Sequence, residues 1–424
     1  DGSYMAQSAS LAKAEWKIFR QIGELYTFSG IAEKGGRMVS DGDLGRIQDA
    51  AIVAHDGRIN WIGRDADLPA EFTNKTGVQE ESLQGAVVVP AFVEAHTHAV
   101  FAGDRSAEFD RRIRGESYQA IAASGGGILS TVRATRNASE EDLSDLTQKR
   151  IDRFVAQGVT TVEVKSGYGL SAEGELKALR AVKRLRGARI VPTFLGAHAI
   201  PPEAASPEAY VEFLIRDILP VVRSENLARR ADIFVEQGYF LGAMAENYLR
   251  AAQALGFDLV VHAEQLSRSG GAELAVRLGA RSAEHLIEIN DEDIQRLAVS
   301  DVTCVLLPIA DLYMKCAYPP ARKLIDAGAR VALATDFNPG TAPSQDLALV
   351  GVLARLEMKM TLAEVLSAYT VGAAYALGLE NDLGSLSEGK FCDFSVLEGG
   401  LNELFFEVGR QPIARVYREA QRLR

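Results

Sequence analysis

Two histidines separated by one residue close an apolar stretch of the sequence. Val87–Val93 is rich in β-branched residues and uncharged, which predicts a strand buried on both faces, and His96 and His98 follow it. Because side chains two residues apart in an extended chain point to the same side, both imidazoles can reach one point at the strand end. This spacing is typical of paired metal ligands. It is equally typical of an ordinary loop, so further ligands along the chain must decide between the two readings.

Two more residues of ligand type follow short apolar segments, namely His262 and Asp336. Together with His96 and His98 they supply three nitrogen donors and one oxygen donor, a set that suits zinc or iron rather than a thiophilic metal. Such a metal lowers the pKa of a bound water from about 15.7 to about 7, which makes hydroxide available at neutral pH. The set predicts one divalent or trivalent metal per chain, Zn or Fe, and hydrolysis as the reaction.

Strand-like and helix-like segments alternate from Val87 onward, which implies a parallel sheet. The strand candidates are Val88–His96, Thr160–Lys165, Ile190–His198, Ala231–Glu236, Leu259–His262, Arg281–His285, Val302–Leu307 and Val331–Asp336, and the clearest helical segments are Glu140–Gln157, Ala172–Leu185 and Leu362–Leu377. Eight strand–helix units close into a (β/α)8 TIM barrel, whose active site lies at the C-terminal strand ends. Five of the six histidines stand at such ends. The exception, His55, is expected to be a surface turn residue.

The two ends of the chain have a different pattern. Ala50–His55 and Ile59–Gly63 alternate in polarity and are joined by Asp56-Gly57, a strong hairpin signal. The segment from Gly384 to Phe394 returns to turn-rich, strand-like sequence and is expected to rejoin the N-terminal part. We predict an α/β fold in which residues 1–84 and 384–424 form a smaller β-sandwich domain and residues 85–383 form the metal-dependent barrel.

Composition excludes several classes of partner. The net charge of −11, without a basic patch, argues against nucleic acid and anionic membranes, and no apolar stretch approaches the ~20 residues that span a bilayer. The three cysteines are widely spaced, which suits a reducing cytoplasm, and the N-terminal residues lack the basic and then apolar pattern of a signal peptide. Residues 1–4, before Met5, are expected to be an expression remnant. We expect a small-molecule substrate and, if the protein self-associates, a homodimer.

Two histidines remain after the metal ligands are assigned. His198 and His285 follow the third and sixth strand candidates, and a single metal does not need both. We assign them to polarising a substrate carbonyl and to proton transfer, with a structural role as the alternative. The run Ser124–Gly127 lacks the Gly-Lys-Ser/Thr of a phosphate loop and is expected to form a loop over the barrel mouth.

This arrangement resembles the amidohydrolase superfamily, which has His-x-His after strand one, histidines after strands five and six, Asp after strand eight and a split β domain. Its dinuclear members bridge two metals with a lysine after strand four. Ala231–Glu236 contains no lysine, so a single metal is expected. Deaminases of the superfamily carry His-x-x-Glu after strand five, whereas Gln265 stands at that glutamate position here. A deaminase is disfavoured unless Glu264 substitutes.

Four segments carry a closer resemblance that covers nearly the whole chain: Glu94–His98 with Phe101–Arg105, Glu163–Leu170, Leu195–His198 and Ala334–Thr341. They resemble the lactam-opening members that convert 4-imidazolone-5-propanoate to N-formimidoyl-L-glutamate in histidine degradation. The resemblance implies that Asp336 is both ligand and base and carries a proton to the ring nitrogen. It further implies that His285 and the metal stabilise the oxyanion while His198 and Gln265 hold the ring.

A propionate side chain needs a cation, and Arg105 offers a planar fork for a carboxylate. Tyr168 and Tyr118 are expected to add hydroxyl donors. The remaining substrate contacts are expected from Asn338, Gly340 and Thr341, which follow Asp336. Lys165 and Glu163 are interpreted as a structural ion pair. Two alternatives stay open: a deaminase of a cyclic amidine, and a non-catalytic barrel homologue, although such homologues usually lose their ligands.

Overall fold

The computed structural model describes residues 15–424, so the expectation for residues 1–4 lies outside the described part. Within it the strands form two eight-stranded sheets. The strands are β1 Trp16–Tyr26, β2 Arg46–His55, β3 Arg58–Arg64, β4 Gln79–Ser82, β5 Val87–Pro90, β6 Phe92–Glu94, β7 Val159–Lys165, β8 Arg189–Ala197, β9 Arg230–Val235, β10 Asp258–Ala263, β11 Ser282–His285, β12 Thr303–Leu306, β13 Val331–Leu333, β14 Phe394–Leu397, β15 Ile413–Arg418 and β16 Gln421–Arg422.

The helices lie mainly between the strands of the second sheet. They are α1 Ser29–Glu33, α2 Ala70–Thr73, α3 Ser106–Ile113, α4 Tyr118–Ala123, α5 Ile128–Asn137, α6 Glu140–Val155, α7 Ala172–Lys183, α8 Pro207–Phe213, α9 Leu219–Ser224, α10 Gly242–Ala254, α11 Gly271–Leu278, α12 Asp291–Ala298, α13 Pro308–Met314, α14 Ala321–Asp326, α15 Leu347–Leu356, α16 Leu362–Ala368 and α17 Val371–Leu377. A π-helical turn, Leu214–Ile218, joins α8 to α9. In the described residues, no helix combines the length and apolar character needed to cross a membrane.

The first sheet is built from both ends of the chain, in the order β16-β15-β14-β5-β1-β2-β3, with β4 also paired to β1. Phe19 on β1 lies 4.8 Å from the ring of Phe394 and 5.2 Å from that of Tyr417, although β14 and β15 are not its neighbours. Neighbouring strands of a flat sheet lie about 4.8 Å apart, so strands two or three places apart would be too distant for these ring contacts. The sheet therefore curls over its own core. Asp56 and Gly57 have φ of 52° and 74°, which confirms the predicted hairpin turn.

The second sheet is the barrel. Its strands run in the order β6 to β13, each pair parallel, as the alternating pattern predicted. The first and last strands meet through the residues that follow them: the His98 N–H donates to the Phe337 carbonyl at 2.8 Å, and the Asp336 N–H to the His96 carbonyl at 3.1 Å. The barrel is thus nearly closed, and closure brings the ends of strands one and eight together.

Two predicted elements and the predicted placement of one residue differ from the structure. The strand predicted over Val88–His96 is divided: β5 pairs within the first sheet and β6 within the barrel. Both parts are buried, so hydrophobicity alone cannot show that the chain changes sheets. The helix predicted over Leu362–Leu377 breaks at Tyr369, whose carbonyl accepts the Val93 N–H at 2.8 Å. His55 stacks on Trp16 at 4.3 Å and is half-buried rather than a surface residue.

Candidate active site

Donor atoms from the first and eighth barrel strands converge at one point. Asp336 Oδ1 lies 3.0 Å from His96 Nε2 and 3.1 Å from His98 Nε2, and the two Nε2 atoms are 3.2 Å apart. All three side chains are buried, and Asp336 Oδ1 has no hydrogen-bond partner among the described residues. Lone pairs of nitrogen and carboxylate oxygen crowded in this way are stabilised by a cation. The donor set therefore fits a metal ion.

A second, overlapping group joins His96 to His262 and His285, with one ring nitrogen of each within 4.8 Å of the others. His262 Nε2 and His285 Nδ1 are buried and have no hydrogen-bond partner in the described structure. His96 is common to both groups. The structure thus brings together the four predicted ligands, and it also brings His285 to the same cluster.

Burial keeps three histidines of the site, His98, His198 and His285, in the neutral form. Burial lowers the pKa of His98, and it lowers the pKa values of His198 and His285 to about 3. Neutral imidazole is the form that ligates metals, and it can also donate one N–H to a developing negative charge. At neutral pH these rings therefore act through lone pairs and N–H groups, not through positive charge.

Thr97, the residue between His96 and His98, anchors the strand end. Its N–H donates to Glu163 Oε1 at 3.1 Å and its hydroxyl to the Glu163 carbonyl at 2.6 Å. Glu94 plays the same part towards strand eight, because its Oε1 accepts the Thr335 N–H at 2.9 Å. Alternation along the extended chain then directs His96 and His98 to the opposite side from Thr97.

A cavity of about 350 Å³ opens above the cluster. Its walls contain every predicted substrate-binding residue except Gly340, together with aromatic and apolar residues. The lining residues are His98, Arg105, Tyr118, Ile128, Tyr168, His198, Phe234, Tyr239, His262, Gln265, Leu266, His285, Met314, Asp336, Asn338 and Thr341. His96 lies buried beneath this lining. A cavity of this size accommodates a small heterocycle with a short side chain.

Gly340 has a different role from a wall residue. A Cβ atom at this position would lie 2.3 Å from Arg105 Nη1, so a larger residue would force the guanidinium to move. Asn338 shapes the loop around it, since its Oδ1 accepts the N–H groups of Gly340 and Thr341 at 2.9 and 2.8 Å. The segment that follows Asp336 therefore positions Arg105.

The side chains of Glu264 and Gln265 have different surroundings. Glu264 accepts the N–H groups of Gly270, Gly271 and Ala272 at 2.6, 3.0 and 2.6 Å, at the start of α11, and it does not line the cavity. Gln265 does line the cavity, where its amide donates to Met314 Sδ at 3.5 Å. The carboxylate next to the deaminase position thus stabilises a helix and is not directed at the substrate.

His198 and Tyr168 form the wall beside His98. His198 Nδ1 lies 3.0 Å from the Gly167 carbonyl, so this nitrogen carries the proton, and its ring stacks on His98 at 5.2 Å. Burial raises the pKa of Tyr168, whose hydroxyl remains a donor at neutral pH. Both side chains line the cavity.

Five lining residues were not predicted from the sequence: Ile128, Phe234, Tyr239, Leu266 and Met314. Their apolar character is that of ordinary core residues, and nothing local marks them. The one available signal was position in the chain. Phe234 and Leu266 lie near the ends of the fourth and fifth barrel strands, where residues that line the site are expected.

Comparisons with known proteins agree with this geometry. Residues 87–421 match the family model described as the amidohydrolase family. The imidazolonepropionase of Bdellovibrio bacteriovorus is 55% identical over 92% of this chain and 93% of its own length, and that of Symbiobacterium thermophilum is 42% identical over 94% and 95%.

Solved structures resemble the fold at lower identity. An adenosine deaminase from Xanthomonas campestris with bound zinc has a TM-score of 0.71 at 18% identity, covering 96% of this chain and 92% of that one. Guanine deaminase from E. coli has a TM-score of 0.69 at 15% identity, covering 97% and 99%. At such identity they support the barrel and its accessory sheet only. By sequence, this chain belongs to the amidohydrolase family and, within it, to the imidazolonepropionases.

Proposed function

We propose that this protein hydrolyses the lactam bond of 4-imidazolone-5-propanoate and releases N-formimidoyl-L-glutamate, a step of histidine degradation. The observation that carries the proposal is that one cavity holds both the His/Asp cluster and the Arg105 guanidinium. A substrate with a hydrolysable ring at one end and a carboxylate at the other matches these two features. The names of the relatives at 42–55% identity support the same substrate.

We further propose that His96, His98, His262 and Asp336 hold one zinc or iron ion. The unpartnered buried atoms His262 Nε2 and Asp336 Oδ1 support this assignment, as does the zinc named for the Xanthomonas adenosine deaminase. When bound, such a metal acts as a Lewis acid that polarises the lactam carbonyl and makes water a stronger acid.

The chain's own residues supply the rest of the reaction. Asp336 accepts the proton of the attacking water and delivers it to the ring nitrogen as the C–N bond breaks. His285, a neutral imidazole, donates an N–H to the oxygen that becomes negative, which is the stabilisation expected of an oxyanion donor. His198 and Gln265 hold the ring, and Arg105 binds the propionate.

The finer features of the protein form part of the same proposal. A net charge of −11 and three free cysteines support a cytoplasmic enzyme without nucleic-acid or membrane partners. We propose a barrel domain over residues 85–383 and a second domain from 1–84 and 384–424. In the described residues the two sheets support this division, except that β5, which precedes the first barrel strand, pairs with β1 and β14 of the second domain. A homodimer is the commonest arrangement if the chain self-associates.

A deaminase is the rival within the same fold, since the solved structures of similar fold include two deaminases. The amide of Gln265 cannot exchange a proton at neutral pH, and Glu264 is engaged by three N–H groups of α11. Neither side chain can replace the deaminase glutamate. The cavity therefore favours lactam opening.

The proposal is tested by incubating metal-replete protein with 4-imidazolone-5-propanoate and following the loss of ring absorbance and the formation of formimidoylglutamate. The His96→Ala/His98→Ala double variant is expected to lose both turnover and metal. Turnover without any bound metal, or stoichiometric metal in the double variant, contradicts the assignment. Elemental analysis of both proteins distinguishes these results.

A further inference from the structure

Arg105 does not face the cavity alone. Its Nε and Nη2 atoms donate to the two carboxylate oxygens of Glu108 at 3.2 and 2.8 Å, and each side chain is only 10% exposed. A guanidinium has two edges that can bind a carboxylate with paired N–H groups. Glu108 fills the Nε/Nη2 edge, which leaves the Nη1/Nη2 edge for a second carboxylate.

The guanidinium also needs to be held in place. Arg105 lines the active-site cavity and a second cavity of about 270 Å³, which lies against α3 and α13. Packing against Gly340 restrains Nη1, but open space borders the group on both sides. Without its ion pair to Glu108, the side chain can swing towards the second cavity.

The same carboxylate anchors part of the cavity mouth, the segment Ser117–Ile128. Glu108 Oε2 accepts the Gly127 N–H at 2.9 Å, and Gly127 has a φ of 74°, which favours glycine. Tyr118 and Ile128, at the two ends of this mouth segment, line the cavity. Glu108 thus links Arg105 to the segment that lines the cavity mouth.

We propose that Glu108 is a positioning residue that sets the specificity of the site for an anionic side chain. It fixes the Nη1/Nη2 edge of Arg105 towards the cavity and holds the mouth segment over that edge. The inference rests on the proposed function, because it assigns the free edge to the substrate's propionate.

The experiment compares Glu108→Ala and Glu108→Gln with Glu116→Gln. Glu116 is a matched control because its carboxylate pairs with Arg111 on the exposed surface. Each variant is assayed with imidazolone propionate and with the neutral propionamide analogue of the same ring. Hydrogen exchange at residues 124–128 is measured in parallel.

For Glu108→Ala we expect KM to rise about tenfold or more while kcat changes less than about twofold, since a misplaced binding group mainly weakens ground-state binding. The preference for propionate over propionamide should fall by a similar factor, and exchange at Gly127 should become faster. Glu108→Gln, which keeps one acceptor oxygen, should show a smaller change, and Glu116→Gln none. A purely structural role would raise exchange without altering the preference.

Unchanged KM and unchanged preference in both Glu108 variants, with an active wild type, overturn the inference alone. If Glu108→Ala does not fold, the near-isosteric Glu108→Gln decides the question. Absence of turnover by the metal-replete wild type overturns the proposed function and the inference with it.

Discussion

The Nδ1 atom of His262 lies 3.0 Å from Oδ1 of Asp232, a fully buried carboxylate on the neighbouring barrel strand. The other oxygen of Asp232 lies 2.9 Å from the ammonium of Lys165, which in turn lies 2.6 Å from Glu163. Burial alone would raise the pKa of Asp232, but His262 and Lys165 lower it well below its usual value. Asp232 therefore keeps the proton of His262 on Nδ1 and directs Nε2 towards the cluster.

Replacing Asp232 with asparagine should weaken metal binding about 10–100-fold, because the acceptor that orients His262 loses its charge. Competition with a chelator measures the affinity. Asp258→Asn, at the opposite end of β10 in a partly exposed pair with Arg281, is the control and should bind metal like the wild type. Equal metal affinities for Asp232→Asn and the wild type would show that the Asp232 carboxylate does not affect metal binding through His262.

Arg105→Ala should lower kcat/KM by an amount equivalent to ~2–5 kcal/mol, the usual cost of truncating one partner of a buried charge pair. Folding and metal content should persist, which circular dichroism and elemental analysis check. The control is Arg111→Ala, whose guanidinium is paired with Glu116 at the surface. If Arg105→Ala retains the wild-type kcat/KM, the substrate's carboxylate docks elsewhere.

His285 should matter more for kcat than Gln265. Loss of an oxyanion donor often costs 10²–10³ in kcat, or about 2.7–4 kcal/mol, whereas Gln265 holds the ring without transferring a proton. Steady-state kinetics of His285→Ala and Gln265→Ala on imidazolone propionate give the order directly. A fully active His285→Ala variant beside an inactive Gln265→Ala variant would reverse the two roles.

A buried carboxylate, that of Asp393, joins the two sheets, and its contribution to the free energy of unfolding should depend on pH. Asp393, next to β14, accepts hydrogen bonds from Thr160 on β7 at 2.7 Å and from Arg189 on β8 at 2.9 Å. Burial raises the pKa of Asp393. Arg189 and the other hydrogen-bond donors lower it by more, so the net shift is downward. A carboxyl group whose pKa is lower in the folded state stabilises the fold above its unfolded pKa, and this stabilisation is lost as pH falls through the folded pKa.

Asp393→Asn should therefore reduce the free energy of unfolding by about 3–5 kcal/mol near neutral pH, as for a broken buried pair. The difference from wild type should shrink below about pH 4, where unfolded aspartate is protonated. Denaturant titrations across this range measure it. Asp382→Asn, in a partly exposed pair with Arg58, should change the free energy by less than about 1 kcal/mol at any pH. A difference independent of pH would rule out the charge as its cause.

Much of the site could be predicted from local sequence, because the polar residues that follow apolar segments mark the ends of the barrel strands. The i, i+2 spacing of His96 and His98, and the placement of His262 and Asp336 after apolar segments, predicted one cluster, and closure of the barrel brings these residues together. What could not be predicted depends on long-range packing. Nothing near Glu264 shows that it turns towards α11, and nothing near Glu108 shows that it meets both Arg105 and Gly127.

The division of Val88–His96 between two sheets has the same cause. Val89 and Val93 are both buried, and hydrophobicity does not distinguish burial against the first sheet from burial in the barrel. The aromatic wall of Phe234 and Tyr239 was missed because aromatic residues near strand ends are usually core.

The product stoichiometry of metal-replete protein acting on 4-imidazolone-5-propanoate distinguishes lactam opening from deamination. Lactam opening should give one formimidoylglutamate for each substrate consumed, with no ammonia released, because Gln265 cannot serve as the proton carrier of a deaminase. Cytosine, guanine and adenosine should not be turned over at a comparable rate. Ammonia formed in step with substrate loss, or no formimidoylglutamate at all, would show that this protein does not open the lactam.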